Sequence, residues 1–177
     1  ADFASEDYEA DDIIGTLATR MRTHGLRATL VTRDKDLSQL VRAGDCFWDF
    51  AGDQRYGYDD LEARFGARPE RMADYLALTG DGVDNIPGVP GIGPKTAAAI
   101  FRHFESLDHL YDDVDAVAAL PVRGAAMLPG KLREHRDAAF LARRLTTIAC
   151  DMPLTCARET LIVRPPDLAA IEAFYDA

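Results

Sequence analysis

The run RATLVT (27–32) limits the choice of fold more than any other part of this chain. It is short, β-branched, almost uninterruptedly apolar, and bounded by Gly25 and a charged turn. That pattern fits a strand covered on both faces of a parallel sheet, where alternation disappears because both sides are buried. Ahead of it Ala10, Ile13, Ile14, Leu17, Ala18 and Met21 recur at i, i+3, i+4, i+7, which predicts an amphipathic helix from about Glu9 to His24, stopped by Gly25. Behind it, Asp36 to Val41 reads as a short helix and CFWDF (46–50) as a second strand. Helix, buried strand and helix in series point to an α/β layer architecture. At 177 residues the chain can hold one sizeable core, or a core with a small satellite subdomain.

After Tyr58 the expectation is mostly helix. Pro69 suits a first helical turn, and Met72, Tyr75, Leu76 and Leu78 carry that helix to a stop at Gly80. Thr96 to Phe104 predicts another helix, and Lys131 to Thr147 a longer one that turns Leu132, Ala139, Phe140 and Leu145 toward a core. Pro165 and Pro166 break the chain before a last short helix, 167–175. No repeat at a fixed period and no low-complexity tract interrupts this order.

With 47% hydrophobic and 28% charged residues the composition is that of an ordinary soluble domain. No apolar run approaches the roughly 20 residues of a membrane span, and no secretory signal opens the chain, so it reads as cytoplasmic. Cys46, Cys150 and Cys156 are odd in number and lack partners at zinc spacing, which reads as reduced thiols. A net charge of −10 excludes a protein coated in basic residues for nucleic acid, yet charge can be segregated. Between Pro121 and Thr147 the balance reverses: Arg123, Lys131, Arg133, Arg136, Arg143 and Arg144 face only Glu134 and Asp137. The chain starts without methionine and runs at once into an acidic segment, as a fragment would.

Three acidic clusters fall at the ends of expected elements: YEADD (Glu9, Asp11, Asp12), TRDKD (Asp34, Asp36) and GDGVD (Asp81, Asp84). Singly, each reads as a helix cap or a solvated turn. Together in one cleft they need cations, because carboxylates about 5 Å apart repel by roughly 3 kcal/mol per pair at an effective dielectric near 20. Oxygen-only ligands select hard ions, so magnesium or manganese is expected over zinc. Two such metals could activate water and stabilise the leaving oxygen of a phosphodiester without a protein base. None of His24, His103, His109 and His135 falls in an acidic cluster.

VPGIGPKTAAAIF (89–101) carries a Gly-x-Gly turn followed by small residues on a helix, the pattern of a helix-hairpin-helix element. Gly91 and Gly93 permit a close backbone approach, so successive N–H groups and a helix start can face a phosphate, with Lys95 adding a point charge. Contacts of this kind are indifferent to base sequence. Hairpin carbonyls can also hold a monovalent ion, expected to be potassium. A plain helix–helix turn is the competing reading of the same residues.

YEADDIIGTLA, TRDKDLSQL, YLALTGDGVDNIPGVPGIGPKTA and FLARRLTTIACDMPL, taken in order from about Tyr8 to Leu154, resemble the successive motifs of the 5′-nuclease superfamily of 5′–3′ exonucleases and flap endonucleases. The likeness is strongest to the exonuclease domain of bacterial DNA polymerase I and its small stand-alone relatives. The resemblance implies a partial PIN-like parallel sheet with flanking helices over 1–66, a helix-three-turn-helix subdomain over 67–154, and a segment, 155–177, that returns to the core. It implies a divalent-metal-dependent nuclease with two metals held by Glu9, Asp11, Asp12, Asp34, Asp36, Asp81 and Asp84, of which Asp12, Asp34, Asp36, Asp81 and Asp84 would be catalytic. Gly88, Gly91, Gly93, Lys95 and Thr96 would bind DNA bearing 5′ ends or flaps, with potassium in the hairpin, in a monomer. Arg143 and Arg144 lie on a helix that in the family packs near that module. Family members begin with a strand ending in a metal-binding aspartate and then a basic helical arch, which this sequence does not contain. Without them hydrolysis is expected to be weak or absent. Two alternatives are a non-catalytic DNA-binding module of the same fold and a helix-hairpin-helix glycosylase with Lys95 as its Schiff-base lysine, which would have no need of Asp34, Asp36, Asp81 and Asp84.

Overall fold

The computed structural model describes residues 1–176. The first helix, α1 (Ala10–Thr23), starts after Glu9, with Asp11 and Asp12 in its first turn and Arg20 and Arg22 in its last, as the helix dipole favours. It leads to β1 (Thr29–Val31), then a 3-10 turn over Asp36–Leu40, β2 (Cys46–Asp49) and β3 (Gln54–Tyr56). The sheet order is β1-β2-β3. β1 pairs parallel with β2 through Thr29–Cys46, Leu30–Phe47 and Val31–Trp48, and β3 folds back antiparallel on β2. The return strand was not expected; the turn AGD (51–53), where Asp53 takes φ 48°, is its signal. β1 also differs from the expectation of two covered faces. It is the sheet edge, only Leu30 is buried, and Val31 is 57% exposed. This short apolar run therefore marks a strand with one face on the core and one edge unpaired among the described residues.

Helices follow: α2 (Tyr58–Phe65), α3 (Met72–Thr79) after a 3-10 turn at Pro69–Arg71, α4 (Pro94–His103), α5 (Leu107–Asp112), α6 (Leu128–Glu134), α7 (Arg136–Thr146) and α8 (Leu168–Tyr175). The expected long helix over 131–147 is thus two. At His135 the backbone leaves helical values (φ −105°, ψ 18°), and α7 buries Ala139, Ala142 and Thr146. These small side chains let α7 close on α3, where Thr146 Oγ1 donates to the Ala73 carbonyl at 3.3 Å. Leu145 lies off that stripe and is 65% exposed, contrary to expectation.

α3 is the hub of the helical part. Met72, Tyr75, Leu76, Ala77 and Leu78 are all buried, so this helix is apolar nearly all round, as a central helix must be. Around it Ile100, Leu107, Leu110 and Leu132 are fully buried, each worth about 1.5–3 kcal/mol of transfer free energy. A second cluster, Leu30, Leu37, Leu40, Val41, Phe47 and Leu61, sits under the sheet, and Phe65 packs against both. Asp74, buried on α3, is satisfied by the Leu107 N–H at 2.9 Å and by Arg143 at 3.7 Å.

From Thr146 to Leu154 the chain straps back across the sheet end. Gln39 donates to the Thr146 carbonyl at 2.9 Å and accepts from Ile148 N at 3.1 Å. Thr16 Oγ1 accepts from Met152 N at 3.2 Å, and Arg20 donates to the Met152 carbonyl at 2.8 Å. Gly15 makes the crossing possible, since a Cβ there would meet Ile148 Cγ2 at 2.8 Å. Beyond this strap α8 buries none of its side chains, so the expected return of 155–177 to the core is absent from the described residues.

Candidate functional site

The strap, the start of α1 and the end of β1 enclose a cleft of about 530 Å³ lined by Glu9, Asp11, Asp12, Asp34, Asp36, Asp84 and Arg144. Each acidic residue arrives by a local device. Beyond β1, Asp34 N donates to Thr32 Oγ1 and Asp36 N to Asp34 Oδ1, both at 3.0 Å, a side-chain turn that aims Asp36 inward. Helix α3 ends at Gly80, whose φ of 75° suits glycine. Asp81 and Ile86 then exchange backbone hydrogen bonds at 2.8 and 2.7 Å, closing a small hairpin with Val83 and Asp84 at its tip. Gly88 clasps the neck: a Cβ on it would run into the Gly80 amide and the Leu78 carbonyl.

Side-chain oxygens of Asp36, Asp81 and Asp84 lie within 4.8 Å of one another. Asp36 is 9% and Asp81 3% exposed, and Asp36 Oδ1 is buried without a hydrogen-bond partner. Lys35 enters this cluster, donating to Asp81 Oδ2 with its ammonium 3.7 Å from Asp36 Oδ1. Burial pushes the Asp36 carboxyl up to about 6; the Lys35 charge opposes this, while Asp34, Asp81 and Asp84 add to it. At Asp81 burial acts upward too, but the hydrogen bonds from Lys35 and the Val83 amide, with the Lys35 charge, outweigh it and hold this carboxyl below its usual range. For Lys35, burial pulls the ammonium down, but the bond to Asp81 and the charges of Asp36, Asp81 and Asp34 win, so it stays charged.

The helix-start cluster meets the same cleft with a different role for each member. Asp11 is raised by burial and then by Asp34, Glu9, Asp12 and Asp84, so acids distant in sequence feel one another here. Asp12 is a strut, because Oδ1 accepts from Ala149 N at 2.8 Å and Oδ2 from Glu9 N at 3.3 Å. Glu9 is exposed at the rim.

The glycine-rich loop lies beyond the hairpin neck. Ile92, 3% exposed, anchors it, while Gly91, Gly93, Pro94 and Lys95 are exposed. Gly91 takes φ 84°, and the N–H groups of Gly91, Gly93 and Lys95 have no acceptor among the described residues. They surround the start of α4, a place suited to an anion. Thr96 and Ala97 both donate to the Gly93 carbonyl at 3.0 Å, so the Thr96 amide is spent on the helix. Gly88, grouped with this loop by sequence, is buried at the neck instead.

Much of the basic stretch is neutralised internally. Arg133 pairs with Asp115 at 2.5 Å, Arg143 with Asp108 at 2.5 Å and Arg136 with Asp137 at 3.8 Å. Among the described residues Arg123, Lys131 and Arg144 have no ion-pair partner, and Lys131 places its ammonium where a Cβ on Gly91 would be. Sequence reasoning passed over Lys35 and Gln39 and gave Arg144 no task in the cleft. The signal for Lys35 is its place between two acids in TRDKD; for Gln39 and Arg144 there is none short of the fold.

Two family models cover the chain: the N-terminal resolvase-like domain of the 5′-3′ exonucleases matches residues 2–66, and their C-terminal SAM-fold domain residues 67–169. This chain belongs to the 5′–3′ exonuclease family. DNA polymerase I of Pseudomonas aeruginosa is 42% identical over 171 residues, which is 96% of this chain but 19% of that protein. A protein named flap endonuclease Xni in Aeromonas hydrophila is 40% identical over 85% of this family member and 54% of its own length. The 5′-3′ exonuclease of Buchnera aphidicola (Acyrthosiphon pisum) is 31% identical over 88% of this chain, again 54% of its own length. The chain therefore spans about half of its shorter relatives and a fifth of the long one. Its fold is that of T5 5′-exonuclease, with a TM-score of 0.68 at 24% identity over 81% of this chain and 57% of that one. A further structure of T5 5′-exonuclease has zinc bound as divalent ions, with a TM-score of 0.67 at 24% identity over 83% and 52% of the two chains.

Proposed function

We propose that this chain is part of a divalent-metal-dependent 5′–3′ exonuclease or 5′ flap endonuclease that hydrolyses DNA phosphodiester bonds. The observation that carries the reading is the convergence of Asp36, Asp81 and Asp84 to within 4.8 Å around a buried, unpartnered Asp36 Oδ1. An all-oxygen donor set with an unsatisfied buried oxygen fits a hard divalent cation, magnesium or manganese. Asp36, Asp81 and Asp84 would hold one ion, and Asp34, Asp11 and Glu9, farther along the same cleft, a second. Such ions supply charge for an attacking water and for the leaving oxygen of a phosphodiester. Asp12 contributes by holding the strap to α1, and Arg144 by presenting a cation to the phosphate across the acidic cleft.

The exposed amides of Gly91, Gly93 and Lys95, with the Lys95 and Lys131 ammoniums, would take the phosphate backbone of the duplex part of the substrate without reading its bases. Hairpin carbonyls provide the donor type for potassium, while Lys131 already brings a unit charge to that loop; no step depends on the ion. In this reading residues 1–66 supply the nuclease core and 67–154 the DNA-binding subdomain.

The test is calorimetric titration of Mn²⁺ into the protein with and without 5′-flap DNA, followed by incubation of 5′-labelled flap substrate in Mg²⁺. Metal binding with release of short 5′ products is the expected result for the chain in its full-length protein. DNA binding that neither needs metal nor leads to cleavage there would identify a DNA-binding module instead.

A further inference from the structure

Among the described residues, Lys35 is the cation that pairs with Asp36 and Asp81 in the cleft cluster. Its side chain is 39% exposed, while the Asp81 side chain that it contacts is 2% exposed, so the ammonium plugs a buried acid from the solvent side. It hydrogen-bonds Asp81 Oδ2 and stands 3.7 Å from Asp36 Oδ1, close enough for charge but leaving that oxygen without a hydrogen bond. The lysine thus hydrogen-bonds one oxygen of Asp81 and meets Asp36 by charge alone. Its four-carbon stem allows the ammonium to leave without moving the backbone, which stays fixed by the Ser38 N–H to the Lys35 carbonyl at 3.0 Å.

We propose that Lys35 is a tethered counter-cation, which holds the Asp36, Asp81 and Asp84 cluster together without metal and must withdraw toward solvent when a divalent ion binds. This rests on the metal reading of the cleft given above. The balance of charge supports it. Three carboxylates this close repel one another across a poorly screened gap, so a metal-free cleft needs a cation of its own. The same cation covers Asp81 Oδ2, an oxygen that a metal would use, so it competes with the metal. Lys35 then sets a threshold: the cluster stays ordered at low metal concentration and loads only when the ion outbids the ammonium.

Titration of Mn²⁺ alone into wild type, K35M and K35R, with melting temperatures measured in EDTA and in saturating Mn²⁺, tests the idea. K35M is expected to bind Mn²⁺ about tenfold more tightly, a gain of ~1.4 kcal/mol, and to melt lower than wild type in EDTA but not in Mn²⁺. K35R should stay near wild type in both. A second measurement uses only the unaltered protein: amine labelling of Lys35, read by mass spectrometry, should rise several-fold when Mn²⁺ is added. Wild-type binding of Mn²⁺ with no gain in K35M, or with Lys35 labelling unchanged or reduced, overturns the role of Lys35 alone. No Mn²⁺ binding by either wild type or K35M overturns the metal reading, and this inference with it.

Discussion

Asp36 and Glu9 line the same cleft, yet one is 9% exposed at the end of a strand and the other stands free at a helix start. Asp36 is aimed by a side-chain turn, shares its surroundings with Asp81 and Asp84, and is pushed up to about 6, chiefly by burial. At the helix start, Asp12 instead spends both oxygens on backbone amides. The strand-and-hairpin side is therefore organised before any ligand arrives, whereas the helix side can adjust. A metal bound first by the buried side would be sensitive to every change there and tolerant of changes at the rim.

The sharpest way to break that contrast is paired neutralisation. Asp36→Asn should weaken Mn²⁺ binding on the order of 10³-fold, because it removes a desolvated charge from a three-acid cluster, whereas Glu9→Gln should cost threefold or less by calorimetry, as expected for a solvated charge. Equal losses would erase the distinction between the two sides. Next comes the hairpin that carries Asp81. Gly88→Ala forces a side chain against the Gly80 backbone at φ 62° and should cost about 3 kcal/mol in urea unfolding. Gly82→Ala, at a tip with nothing within 4 Å, should stay within about 0.5 kcal/mol.

A pH series gives a smaller effect. Because Asp36 titrates near 6 in the folded protein, above its unfolded value, the native state binds more protons between these two values. Its contribution to metal-free stability is therefore gained as the pH falls through about 6 and is lost again above it. Mn²⁺ binding should run the opposite way, flat above that pH and falling by up to about tenfold per unit below it. The smallest effect on metal affinity is expected for Asp12→Asn, which keeps one acceptor and loses the other: Mn²⁺ affinity within about twofold, with about 1 kcal/mol lost in a thermal melt. A large loss of metal affinity there would turn the strut into a ligand.

Local pattern carried much of this into the sequence. The stripe from Ala10 to Met21, the glycine stops at Gly25 and Gly80 and the hairpin glycines Gly91 and Gly93 are local signals, and the elements they foretell are present. What escaped depends on partners far along the chain. Val31 reads as buried until the sheet ends beside it, and Leu145 until α7 turns its small residues to α3. Gly88 sits next to the hairpin in sequence but belongs to the contact with Gly80, eight residues earlier. Asp12 looks like its neighbour Asp11 until Ala149 arrives to occupy it. Roles decided by long-range packing cannot be read from spacing, even where the residue type is right.

The clasp between Gly80 and Gly88 separates two properties that evolution or design could otherwise change only together. Extra residues inserted among Gly82–Asn85 would extend the free end of that small hairpin and reposition Asp84, while the clasp kept the interval from cleft to glycine loop constant. On the proposed reading, tuning of the ion and spacing along a nucleic acid strand would fall to different stretches of backbone.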